Sequence, residues 1–172
     1  MLGPYRLLLL TVVLTVLVDQ GTKALATVLL PPSEIVPVMG DVIDLRLRHN
    51  PGIGWGLGAQ IPTATGRWLF PGLGMIVLAG LVEIYRRISR SSTTLRLGLA
   101  LLLGGGIGNL IDRVHLGAVT DFIAVHFDEL GVSMSGTFNM ADGAMITGIA
   151  LMAGVLTRRR EVVAGSEEGG TS

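Results

Sequence analysis

The sequence predicts a membrane protein of the all-α class, a bundle of four transmembrane helices carrying a small extracytoplasmic β element. Three observations predict it. Of 172 residues, 49% are hydrophobic and only 15% charged, where soluble domains carry about a quarter charged residues. The apolar residues gather into four long stretches, and a span needs roughly 20 of them. Between the stretches lie a run with the two-residue period of a β-strand and a second β-like run.

The first span is read at about 5–29. Arg6 followed by an apolar run resembles a signal peptide, but Asp19 and Lys23 follow at once, apolar residues resume to Leu30, and no small-residue cleavage site is evident. A retained first helix is expected. The other spans are read at about 68–85, 95–111 and 138–157. Basic residues set the orientation. Arg6, the Arg86, Arg87, Arg90 and Arg96 group, and Arg158–Arg160 fall on one side if there are four spans. That side is expected to be the cytoplasm, with both termini inside. The expected organisation is one integral membrane domain over 1–160 and a disordered cytoplasmic tail over 161–172.

Two segments, about 31–67 and 112–137, are left outside. In the first, Ile43, Leu45 and Leu47 alternate with Asp44, Arg46 and Arg48, as in a strand. Glycines 52, 54, 56 and 58 then surround Trp55, which suggests a closely approaching backbone. Trp55 and Trp68 suit the headgroup level. In the second, Val119–Phe127 is another β-like run. A small β element lying on the membrane is expected.

Ionisable residues inside spans are costly and tend to be functional. Asp19 lies roughly 21 Å along the first helix at 1.5 Å per residue, in its outer half. Asn109, Asp112 and Arg113 fall at the outer end of the third span, and Asn139 and Asp142 in the first turn of the fourth. Asp19 and Lys23 are i,i+4, as are Asn109 and Arg113. Asn109 and Asp112, and Asn139 and Asp142, are i,i+3. Each set shares a helix face. One buried polar site near the outer leaflet is the economical inference. The competing reading is a set of structural hydrogen bonds, which fits Asp19 with Lys23 best.

Two carboxylates held close share a proton near neutral pH. The ionised member can then take a proton from water while the protonated one polarises a carbonyl. Asp112, Asp121 and Asp142 are candidates, and physics alone does not choose. A helix N-terminus favours the Asp142 anion. The apolar run around Asp121 favours its protonated form. Asp112, beside Arg113, is expected to anchor the end of its helix. Other chemistries fit worse. His49, His115 and His126 lack metal-ligand spacing, and the absence of cysteine removes thiolate chemistry. No metal or cofactor is expected. Ser135 near His126 is a weak hydrolase candidate. Glycines 104–106 and 108 fail the dinucleotide fingerprint, and Gly104 with Gly108 suits close helix packing instead. The formal net charge of +0 argues against a nucleic-acid partner.

Five motifs in order resemble lipoprotein signal peptidase (signal peptidase II), a bacterial inner-membrane aspartic peptidase family. Asp19-Gln-Gly-Thr-Lys23 resembles its D-Q-x-[ST]-K, and Asn50-Pro-Gly-Ile-Gly-Trp-Gly56 its N-x-G-x-x-[FW]-[SG]. Gly108-Asn-Leu-Ile-Asp-Arg113 resembles G-N-x-x-D-R. Val119-Thr-Asp-Phe122 resembles V-x-D-F, and Phe138-Asn-Met-Ala-Asp142 resembles F-N-x-A-D. Any one is weak; five in order are specific.

The resemblance implies removal of signal peptides from diacylglyceryl-modified prolipoproteins, by cleavage before the lipidated cysteine at the outer membrane face. It implies Asp121 and Asp142 as the catalytic pair. Asn50, Asn109, Arg113 and Asn139 look like the groups that hold the substrate backbone and fix the site. Asp19, Lys23 and Asp112 look like supports, and the Trp55 loop like a piece closing over substrate. The implied partners are diacylated prolipoproteins and membrane lipid, met by a monomer. The sequence departs from the family at Ile53-Gly54, where small residues such as Ala-Ala are usual. It departs also at Trp55, where Phe is commoner, and at Gly143, where Ser is common. These leave room for altered substrate preference or a narrower role. The alternative is a catalytically silent carrier or chaperone of lipidated proteins. A transporter would need polar residues through the full membrane thickness, and the cytoplasmic halves of the spans look apolar.

Overall fold

The computed structural model describes residues 4–31, 34–52, 61–88, 92–126 and 135–168. Among the described residues, four helices are long and apolar enough to cross a membrane. They are α1 (Pro4–Leu29), α2 (Thr63–Arg87), α3 (Thr93–Leu116) and α4 (Met140–Glu168). The segments joining α1 to α2 and α3 to α4 form a four-stranded antiparallel sheet, in the order β1 (Val36–Met39), β2 (Ile43–Asn50), β3 (Val119–His126), β4 (Ser135–Phe138). The expected class, a four-helix membrane bundle with a small β element, is the observed one.

Helix α3 is the central helix. Half of its span is buried, against 11% for α1 and α4 and 17% for α2. Its glycines explain why. A Cβ on Gly104 would lie 2.7 Å from Thr15 of α1, one on Gly105 2.5 Å from the Ala141 carbonyl oxygen of α4, and one on Gly106 2.8 Å from Leu78 of α2. Three successive glycines thus admit three different neighbours. Gly98 and Gly148 meet backbone to backbone, so α3 and α4 approach at a second level. In lipid, close packing of this kind replaces the hydrophobic drive available in water. The large apolar side chains Leu9, Leu14 and Leu17 of α1 and Ile76 of α2 are left on the outside, where acyl chains can meet them.

The boundaries differ from expectation at three places. α2 begins at Thr63, after Pro62; its first turn is too polar to register as a span. α3 continues past 111 to Leu116 and stops where Gly117 takes φ 74, a left-handed end that glycine favours. α4 remains helical to Glu168, including 161–168 of the segment expected to be disordered. Arg158-Arg-Arg-Glu-Val-Val-Ala164 contains no breaker, and the helix ends only before Gly169-Gly170.

Strand β2 forms where the alternation predicts, but its buried position is Asp44, while Ile43, Leu45 and Leu47 are half-buried. Asp44 pairs with His126 of β3 and lies 3.4 Å from Arg46 Nε, so polar partners explain the inversion. A bulge between Leu45 and Arg48 re-aims β2, and beyond it Arg48 faces Asp121 and Asn50 faces Val119. Strands β1 and β4 escaped the periodicity because each has four residues, too few to show a period.

Candidate active site

The site forms where the C-terminal ends of α1 and α3 and the N-terminal end of α4 meet β3. On α1, Asp19 and Lys23 are buried and bonded, Nζ to Oδ2 at 2.8 Å. The Lys23 ammonium also reaches Asp112 Oδ2 at 3.1 Å and donates to Asn109 Oδ1 at 2.9 Å, both on α3. Asp19 Oδ1 accepts from the Ala141 N–H at 2.9 Å, on the first turn of α4. A Cβ at position 108 would overlap the Asp19 carboxylate; this is why glycine precedes Asn109. The pair expected to orient the first helix therefore ties three helices together.

Asp112, expected to anchor the end of its helix, ties the end of α3 to β3. Its Oδ2 accepts from the Thr120 N–H at 2.8 Å, fixing β3 one residue before Asp121. Chain neighbours on a helix point to different faces, so Arg113 turns elsewhere. It donates to the Gly52 carbonyl at 3.1 Å and to its own helix at the Asn109 carbonyl, 3.4 Å. It thus holds the chain just before residues 53–60. Trp55, with Ile53 and Gly54, lies outside the described residues.

Asp121 and Asp142 come from unlike elements, strand β3 and helix α4, and Asn139 links them. Its Nδ2 donates to Asp121 Oδ1 at 2.8 Å, and its backbone N–H to Asp142 Oδ2 at 3.1 Å. Its Oδ1 accepts from the Asp142 N–H at 3.0 Å. Asn139 and Asp142 thus form a reciprocal capping box that starts α4. Asn109 Nδ2 donates to Asp142 Oδ1 at 2.9 Å. Asp121 Oδ2 is held more loosely, by Asn50 Nδ2 at 3.3 Å and Thr137 Oγ1 at 3.4 Å. Asp121 is 2% exposed, and Asp142 is half-buried. Burial first, and then the Asp142 charge, push the Asp121 carboxyl up to about 6, against hydrogen bonds from Asn50 and Asn139 and the Lys23 charge, which favour the anion. Such a pair can hold one proton between two carboxylates near neutral pH.

Asp19, Lys23, Asn50, Asn109, Asp112, Arg113, Asp121, Asn139 and Asp142 are therefore brought into one connected network. Sequence reasoning missed Gln20, whose Nε2 contacts Asp19 Oδ2, the Gly108 carbonyl and Asp112 Oδ1 at 3.0–3.1 Å. Its place inside the Asp19–Lys23 motif was the available signal. It also missed Thr137, for which the sequence offered none. Position 143 is open: a Cβ there would meet nothing within 4 Å, so a serine there would fit.

A profile of the Signal peptidase (SPase) II family matches residues 11–157. The chain is 35% identical over 144 residues to the lipoprotein signal peptidase of Moorella thermoacetica, covering 84% of this chain and 88% of that one. It is 38% identical over 140 residues to the lipoprotein signal peptidase of Pseudomonas putida, covering 81% and 80%. A solved structure described as a bacterial membrane enzyme, obtained by the in meso method, superposes with a TM-score of 0.75 at 25% identity, covering 88% of this chain and 87% of that one. A multi-pass membrane fold, five motifs and these likenesses agree: the chain belongs to the signal peptidase (SPase) II family of membrane peptidases.

Proposed function

We propose that this chain is an aspartic endopeptidase that removes signal peptides from diacylglyceryl-modified prolipoproteins, cutting before the lipidated cysteine. The observation that carries this reading is the Asn139 link between two carboxylates, Asp121 and Asp142, on separate elements. An aspartic mechanism needs such a pair, and the family membership supplies the substrate class. In the proposed step the ionised carboxylate takes a proton from water, whose oxygen bonds to the scissile carbonyl carbon. The protonated carboxyl hydrogen-bonds the carbonyl oxygen. The C–N bond then breaks as a proton passes to the leaving amine. No metal or cofactor takes part.

Asn50 and Arg113 border the pair and suit the substrate backbone, while Asn109 and Asn139 fix the carboxylates. Asp19, Lys23 and Asp112 hold the frame. A role for Trp55 over the substrate rests on its motif alone. The distribution of basic residues supports both termini in the cytoplasm, with the pair near the outer face. The substrate arrives laterally as its acyl chains stay in lipid, and burying them contributes about 0.8 kcal/mol per CH₂. One chain supplies every group of the network, which supports action as a monomer.

The test is to incubate the protein in phospholipid nanodiscs with a diacylated prolipoprotein and with its unacylated precursor, and to identify products by mass spectrometry. Cleavage before the lipidated cysteine, in the acylated form only, is expected. Tight binding of the acylated form without cleavage would favour the carrier reading instead.

A further inference from the structure

Lys23 has three N–H groups and three acceptors: Asp19 Oδ2 at 2.8 Å, Asp112 Oδ2 at 3.1 Å and Asn109 Oδ1 at 2.9 Å. Lys23 is 4% exposed. All its donors are committed inside the protein, so none is left for a substrate. What those bonds fix is the direction of an amide. An ammonium only donates, so Asn109 must turn its Oδ1 toward Lys23. Its NH₂ is thereby turned to Asp142 Oδ1, at 2.9 Å. The same Oδ1 accepts from Asn139 Nδ2 at 3.1 Å, and that NH₂ also donates to Asp121 Oδ1 at 2.8 Å. If Asn109 were reversed, its carbonyl would face the Asp142 carboxylate and its NH₂ would oppose that of Asn139.

We infer that Lys23 is a positioning residue that sets the amide orientation of Asn109, and through it the hydrogen-bond donors presented to Asp142 and Asp121. The inference rests on the reading of those two aspartates as the catalytic pair. The charged groups around Lys23 are Asp19 on α1, Asp112 on α3, Asp121 on β3 and Asp142 on α4. Lys23 itself has no donor left for substrate and acts only on how the two carboxyls are presented, so the effect should appear in turnover and not in binding.

A double-mutant cycle on Lys23 and Asn109 tests it, using the full chain in nanodiscs with a synthetic diacylated prolipoprotein peptide. Lys23→Met is expected to lower kcat on the order of 100-fold, the cost of small misplacements at reacting groups, with KM little changed. Asn109→Ala should lower it similarly. The double variant should be no worse than Asn109→Ala, because a residue acting through another adds nothing once that other is gone. Lys23→Arg, which keeps a cationic donor, should retain more turnover than Lys23→Met. If Lys23→Met does not elute as a folded monodisperse protein, Lys23→Gln replaces it in the cycle. Losses that multiply in the double variant, or near-normal kcat in Lys23→Met, would overturn the inference. Asp121→Asn and Asp142→Asn are run alongside. If they cleave like wild type, the catalytic pair itself is wrong. If they are inactive while the Lys23 and Asn109 losses multiply, only the present inference fails.

Discussion

At Asp121 burial and the neighbouring Asp142 charge act against the anion, while Asn50 and Asn139 act for it. The balance lies at about 6, so the shared proton is lost as pH rises through that region. The limb of kcat/KM on the alkaline side reports this group in the free enzyme. Asn50 donates to Oδ2 at 3.3 Å and favours the anion. Asn50→Ala should therefore raise the Asp121 pKa and move that limb to higher pH, by about half a unit for a weak hydrogen bond. A limb unmoved or shifted toward acid would contradict the assignment. Much of this was legible residue by residue. Helical spacing put Asp19 with Lys23 and Asn139 with Asp142, and these bonds exist. Spacing could not choose between Asp112 and Asp121, because the choice depends on a contact between α3 and β3. Local sequence carries no record of such a contact.

Among the elements, α3 carries the packing. Gly105→Ala places a methyl 2.5 Å from the Ala141 carbonyl oxygen, and backbone cannot yield as a flexible side chain can. The variant should lose about 1–3 kcal/mol of stability, as overpacked sites do. It should also lose activity, since Ala141 precedes Asp142. Gly154→Ala on α4 meets nothing within 4 Å and should unfold no more readily than wild type, since alanine suits a helix interior better than glycine. Thermal unfolding in detergent compares them; equal midpoints for the two variants would refute the packing argument. Asn139→Ala removes the cap of α4 and should cost about 1 kcal/mol or more, together with the link between the aspartates. The long elements were legible from composition, and β2 and β3 from alternation and a β-rich run. The short strands β1 and β4 were not, since they exist by pairing with those two.

For the whole molecule, the sequence states the architecture more plainly than the topology of the site. Four apolar stretches and three basic clusters suffice for the bundle, and depth and spacing bring the polar faces of α1, α3 and α4 to one level, whereas the docking of β3 onto them is a property of the fold alone. The chain has no cysteine, so single thiols can report sidedness. Ser172→Cys should react with a membrane-impermeant maleimide only after cells are opened, and Asp41→Cys in intact spheroplasts. Matching accessibility at both positions would break the proposed orientation. The central claim is that Asp121 and Asp142 together perform the hydrolysis, and turnover of a diacylated prolipoprotein by Asp121→Asn and Asp142→Asn measures it most directly. Asparagine keeps the shape and removes the shared proton chemistry, so each folded variant should lose at least about 1000-fold in turnover, as removal of an essential acid or base does. Turnover in either folded variant comparable to wild type would contradict the account.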